Sequence, residues 1–271
     1  MSLKKQLENY FTFTEKTSGS ILYFDTLPEA INVNKKNKAI LKPANNSNIS
    51  IKQSVGTNIF ELKQPQKIAS VKAPKLDIEA IDLSEIKTLE ELEEAVANCK
   101  KCPLNTARKN TVFGTGNPDA NLMIIGEAPG ADEDEQGKPF VGRAGKLLTD
   151  ILKAINFSRE EVFIANICKC RPPGNRRPNT EEVYFCEQYL HKQIELIKPK
   201  FILALGLTAA DTLFKSSHKM ADIRGKIFDY QGIKTMVTYH PAALLRNPNW
   251  KRPVWEDVKI LRKLYDEEVH D

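Results

Sequence analysis

The sequence predicts an α/β fold, a parallel sheet covered by helices on both faces, and three observations predict it. Four short apolar runs, at residues 122–125, 162–167, 201–205 and 235–239, read as buried strands. Helical periodicities at 145–155, 180–197 and 207–214 separate them, and a last helix covers 254–265. The connections are short, and strand–helix alternation with short connections is how a parallel sheet is built. Ligands of such a sheet collect beyond the carboxyl ends of its strands.

Taken from the N-terminus, residues 1–31 form an extension with an amphipathic helix at 3–13 and an apolar patch at Ile21, Leu22, Tyr23 and Phe24. Residues 32–75 change character. Asn and Lys dominate, Glu61 is the one acid, and Pro43, Pro65 and Pro74 interrupt any period. This reads as a flexible basic tether with too little apolar surface to offset its ordering entropy. The main domain covers 76–271. It opens on Thr88-Leu-Glu-Glu91, a capping-box pattern that starts a helix with Leu89, Leu92, Ala95 and Val96 on one face. Cys99-Lys-Lys-Cys102-Pro103 ends that helix.

Composition excludes little but bounds the class. The chain has 271 residues, 41% hydrophobic and 28% charged, and its formal charge of +5 permits a polyanionic partner without demanding one. No apolar run approaches the ~20 residues that cross a bilayer. The N-terminal segment is charged too early for a signal-peptide core. The expectation is a cytoplasmic protein with no membrane partner. In a reducing compartment the five cysteines, Cys99, Cys102, Cys168, Cys170 and Cys186, point to a metal or cluster site, four ligands with one spare.

Three segments fall beyond strand ends. The first is GEAPGADEDEQGKPFVGRAG, residues 126–145. It has a phosphate loop's strand–glycine–helix outline but neither a dinucleotide fingerprint nor a terminal Gly-Lys-Ser/Thr. Its cluster of acids would repel phosphate. Glu127, next to the strand, is placed to activate water or to stabilise a growing cation, and also to do no more than cap a turn. Asp132, Glu133, Asp134 and Glu135 read as helix-start acids facing solvent. The second segment is NICKCRPPGNRRPN, residues 166–179. With Cys99 and Cys102, its Cys170 and the later Cys186 supply four thiolates, which suit tetrahedral zinc or an iron–sulfur cluster; spacing does not choose. Cys168 reads as a buried strand residue. The third is TYHPAALLRNPNWKRP, residues 238–253, with His240 at a strand end and Leu244 and Leu245 set among cations. That arrangement matches either ordinary packing or a wedge for a base stack.

These motifs together, in this order and with the four cysteines, resemble the family 4 uracil-DNA glycosylases, over about residue 88 to the C-terminus. The resemblance implies the three-layer α/β/α glycosylase fold with a central four-stranded parallel sheet, and a [4Fe–4S] cluster on Cys99, Cys102, Cys170 and Cys186. It implies catalytic roles for Glu127 and His240, and uracil contacts from the backbone at Ala128, the ring of Phe140 and the amide of Asn166. Arg143, Arg176, Leu244, Leu245 and Arg246 are the expected DNA contacts. The implied partner is uracil-containing DNA, single- or double-stranded, met by a monomer that flips the base out, hydrolyses the glycosidic bond and leaves an abasic site. Glu127 argues against the family 5 branch, whose members generally lack the loop carboxylate. RPPGNRRPN is short and has no histidine, unlike covalently trapping relatives, so turnover is expected. Cys168 departs from the family's usual aliphatic residue. A cluster-bearing DNA-binding protein without glycosylase activity and a dithiol redox protein are the rival readings.

Overall fold

The computed structural model describes residues 82–269, and the expected helix at 3–13 and tether at 32–75 lie outside the described residues. Helix α1 (Leu89–Ala97) begins for a local reason. Thr88 Oγ1 accepts the Glu91 N–H and the Glu91 carboxylate accepts the Thr88 N–H, both at 3.2 Å. That reciprocal pair satisfies two donors the first turn leaves open. Beyond Cys102, Pro103 opens a short 3-10 turn, Pro103–Thr106.

The four expected strands are β2 (Leu122–Gly126), β3 (Phe163–Asn166), β4 (Phe201–Leu205) and β6 (Ile233–Thr238). They pair parallel, β3 to β2, β2 to β4 and β4 to β6. Two further strands, β1 (Thr115–Gly116) and β5 (Ile227–Tyr230), add antiparallel edges to β3 and β6. The four-stranded parallel sheet expected from the sequence is thus corrected to a six-stranded mixed one, in the order β1-β3-β2-β4-β6-β5. The edges escaped notice because β1 is two residues long and β5 is half exposed, so neither reads as an apolar run. The Gln231-Gly232 turn before β6 did carry a signal. Both residues sit at left-handed φ, +54° and +85°, as a tight hairpin turn requires.

Side chains alternate across the central strands into two cores. Met123, Ile125, Ala165, Ile202, Ala204 and Val237 face one side, where they meet α1, α4 (Thr180–Ile197) and α5 (Leu207–Phe214). Leu122, Ile124, Ile164, Leu203, Leu205 and Met236 face the other and meet α3 (Arg143–Ala154), α7 (Pro241–Arg246) and α8 (Lys251–Val269). The result is three layers. Two short helices, α2 (Ala131–Gln136) and α6 (Met220–Ile223), complete the order. No helix among the described residues is long and apolar enough to cross a membrane.

One buried contact sets the end of β6. Asp257 of α8, 1% exposed, accepts from Thr238 Oγ1 and from Arg224 Nη2, each at 2.6 Å. The chain leaves the sheet there, two residues before His240.

Candidate active site

The loop after β2 is held from within by acids. The Glu133 carboxylate accepts the N–H groups of Gly130, Val141 and Gly142, each at 3.0 Å. Asp134, 2% exposed, accepts those of Lys109 at 2.9 Å and Asn110 at 3.3 Å. Only Asp132 and Glu135 are exposed, which corrects the reading of all four acids as solvent-facing. The physical reason is that a tight loop turns its backbone donors inward, and buried donors need acceptors.

Phe140 adopts φ +53°, a left-handed conformation rare for a bulky residue, and is buried. Arg159 holds it there by donating to Pro139 O at 2.9 Å and Phe140 O at 3.2 Å. Two glycines make room. A Cβ on Gly145 would stand 1.9 Å from Phe140 O, and one on Gly126 would stand 2.3 Å from Asn166 Oδ1 and 2.6 Å from Phe140 Cζ. The loop's glycines therefore serve close approach of a ring and an amide.

At the carboxyl edge of the sheet opens a cavity of about 420 Å³ whose wall includes Glu127, Ala128, Phe140, Asn166, His240 and Arg246. The volume is that of a small-molecule pocket. Asn166 ends β3, 2% exposed, and no donor among the described residues reaches its buried Oδ1. His240 caps α7. Its Nδ1 accepts the Ala242 N–H at 3.2 Å, so in the neutral ring the proton sits on Nε2. Burial, reinforced by the Arg246 guanidinium, pushes His240 down to about 4. Its ring lies 5.5 Å from that of Phe140. The Thr208 hydroxyl, in the first turn of α5, donates to the Glu127 carboxylate. Sequence reasoning missed Thr208, although it follows the end of β4 on the same edge as the three segments that were singled out.

The expected DNA contacts divide. Arg246 is exposed at the cavity wall and Leu245 is 39% exposed. Leu244 is 1% exposed and belongs to the core under α3 and α8, so the expectation that both leucines contact DNA is corrected: of the two, Leu245 alone is at the surface. Successive residues of a helix point about 100° apart, and one of two neighbours must face inward. Arg176 lines the cavity, but its guanidinium is clamped on buried Glu182 by two bonds of 2.8 and 2.6 Å. Arg143 is exposed in the first turn of α3, outside the cavity.

A second, small pocket is lined by Cys99, Cys102, Cys170 and Cys186 with Lys101, Arg108 and Lys169. Cys168 is not part of its wall; it is fully buried in the core beside Cys186. Burial pushes the Cys102 thiol up to about 11 and the Cys170 thiol up to about 12, so holding them as thiolates takes compensating positive charge. The wall supplies it. Arg108 Nη1 donates to Cys170 Sγ and the Lys169 N–H to Cys186 Sγ, each at 3.1 Å. Among the described residues, no three His, Cys, Asp or Glu side chains converge as a single ion requires. The donor set, four thiols among three cations, suits a thiolate-ligated group of net negative charge.

The fold and the cavity together define a protein of the uracil DNA glycosylase superfamily, and the family model of that description matches residues 113–260. The chain is 49% identical over 182 residues to a type-4 uracil-DNA glycosylase of Pyrobaculum aerophilum, a match covering 64% of this chain and 92% of that one. It is 43% identical over 185 residues to the type-4 enzyme of Thermotoga maritima, covering 66% and 96%. A type-5 uracil-DNA glycosylase of Pyrobaculum aerophilum is 28% identical over 221 residues. Within the superfamily, the chain belongs to the type-4 uracil-DNA glycosylases.

Proposed function

We propose that the chain is a DNA-repair glycosylase that hydrolyses the N-glycosidic bond of deoxyuridine in DNA, releasing uracil and leaving an abasic site. One observation carries this reading. The buried, donor-free Asn166 Oδ1 shares a cavity wall with Glu127, Phe140 and His240. An orphaned buried acceptor costs about 1–3 kcal/mol until something donates to it. The N3–H of uracil does so; cytosine has no proton at N3 and offers an amine at position 4, so it leaves the acceptor unmet.

The base enters flipped from the stack, against the face of Phe140. The bond then breaks heterolytically, with cation character on the sugar and negative charge growing on uracil O2. Neutral His240, with its proton on Nε2, donates toward O2 without first losing a charge of its own. Glu127, oriented by Thr208, faces the sugar cation and orients the attacking water. Thymine differs from uracil by a methyl group, so its exclusion is steric. Leu245 fills the vacated space in the stack while Arg246 meets phosphate.

A [4Fe–4S] cluster on Cys99, Cys102, Cys170 and Cys186 is part of the proposal, supported by the four-thiol pocket and its cations. When bound, it would brace the end of α1, the loop after β3 and α4 against one another.

Purified protein, incubated with oligonucleotides containing one deoxyuridine, should release uracil and leave alkali-labile sites. Glu127→Ala and His240→Ala should each slow release by about 10²–10³-fold with DNA affinity largely kept. Absence of release by iron-loaded wild type would refute the reading.

A further inference from the structure

Lys169 stands between the two sites. Its main chain belongs to the cysteine pocket: its N–H donates to Cys186 Sγ at 3.1 Å, and its carbonyl accepts the Val112 N–H at 2.7 Å. Its side chain reaches the strand end that carries Asn166. Nζ donates to the main-chain carbonyl of Asn166 at 2.8 Å and to Gln193 Oε1 at 2.5 Å. Gln193, fully buried, is itself anchored by donating to Phe113 O at 3.0 Å.

A lysine is a costly way to make two hydrogen bonds to neutral acceptors. The ammonium is 1% exposed, and desolvating it costs several kcal/mol unless negative charge lies nearby. Neither acceptor is charged, whereas Lys169 lines the pocket of Cys99, Cys102, Cys170 and Cys186. One residue therefore ties the two together: its main chain is fixed on Cys186 Sγ and its side chain on the Asn166 carbonyl. Asn166 is the last residue of β3, paired to Gly126, and beyond it the Ile167 and Cys168 N–H groups still donate to Gly126 O and Glu127 O, at 3.0 and 3.1 Å, so the Lys169 bond secures the Asn166 carbonyl on a main chain already docked there. The carbonyl and the amide side chain leave the same Cα, so the Lys169 bond narrows the directions open to the amide.

We propose that Lys169 is a positioning residue that couples the loaded thiolate pocket to base recognition, by fixing the end of β3 so that the Asn166 amide faces the flipped base. The inference rests on the glycosylase reading above. Its consequence is that the metal group contributes to recognition of uracil as well as to folding.

The test is binding rather than turnover. Wild type and Lys169→Met, each with iron content measured, are titrated against two duplexes, one with a 2′-fluorodeoxyuridine that resists hydrolysis and one with a tetrahydrofuran abasic analogue. Asn166 can touch a base only in the first. Lys169→Met should bind the uracil analogue about tenfold more weakly, the usual scale for loss of an outer-shell partner, with abasic affinity and iron content unchanged. Lys169→Arg should recover part of the loss. In an Asn166→Ala background, Lys169→Met should add no further loss for the uracil analogue.

Equal weakening on both duplexes, loss of iron with loss of both affinities, or unchanged discrimination would each overturn the coupling. If Lys169→Met is insoluble, Gln193→Met, which keeps the ammonium but removes one of its acceptors, is judged by the same criteria. A third duplex, with thymine at the same position, serves as a control for wild type: no preference for the uracil analogue over it would overturn the glycosylase reading instead.

Discussion

His240 shows how one position can serve both the fold and the reaction proposed for it. As the cap of α7 it must keep Nδ1 free to accept the Ala242 N–H, and protonation of Nδ1 would end that bond. The same requirement leaves Nε2–H as the group to offer uracil O2. Its folded pKa of about 4 lies below the unfolded value of about 6.5. Between those values the unfolded chain binds more protons. The stability His240 contributes is therefore complete above about pH 6.5, falls as pH drops through the window, and does not change below about 4. The slope from this one group cannot exceed about 1.4 kcal/mol per pH unit. Wild type should lose more stability than His240→Ala between pH 7 and 5 in chemical denaturation. A histidine Cε1–H resonance assigned to His240 should titrate well below 6. A midpoint near 6.5 would mean that the ring is solvated and that the charged form is available for catalysis.

At the scale of elements, α7 makes a paired prediction. Leu244 and Leu245 are chemically identical neighbours with opposite surroundings, 1% and 39% exposed. Leu244→Ala should destabilise the fold by about 2–5 kcal/mol, as large-to-small core changes do. Leu245→Ala should leave stability within about 0.5 kcal/mol of wild type. It should slow excision from duplex DNA about tenfold while sparing single strands, where there is no stack to fill. Equal effects on both substrates would remove Leu245 from the wedge role. The loop after β2 is a second element with a clear dependence. Gly145→Ala puts a methyl group 1.9 Å from Phe140 O, so it should lower excision by moving Phe140, with α3 still formed by circular dichroism.

For the molecule as a whole, the four cysteines and every residue given a role in the proposed reaction lie between Cys99 and Arg246 in the sequence. Removing residues 1–75 should leave excision from short oligonucleotides within about twofold of the full chain, since a two- to threefold change is the ordinary scatter of such contributions. Lost activity in a chain that still melts cooperatively would assign those residues to the reaction. The cysteine pocket joins the end of α1, the loop after β3 and α4, segments far apart in sequence. Replacing Cys170 with Ser should therefore lower the thermal midpoint and bleach the visible absorbance together.

The sequence by itself determined the central strands, the bounds of α4 and α5 and the capping box of α1, while Glu127, Ala128, Phe140, Asn166 and His240 of the cavity wall were named through the family resemblance. It could do so because strands buried on both faces must be apolar throughout, and because a cap is a bond between residues three apart. Edge strands β1 and β5 obey no such rule and stayed hidden. Only the tertiary structure decided which leucine of α7 faces the core, since six helical residues are too few to show their phase. It alone joined Thr208 to Glu127, 81 positions away, and turned Glu133 from a solvent acid into a loop staple. It also set Lys169 in the wall of the cysteine pocket with its ammonium on the Asn166 carbonyl. Each of these is a contact between groups whose distance in the chain says nothing of their distance in space, and hydrogen bonding and burial are settled only after the layers have packed.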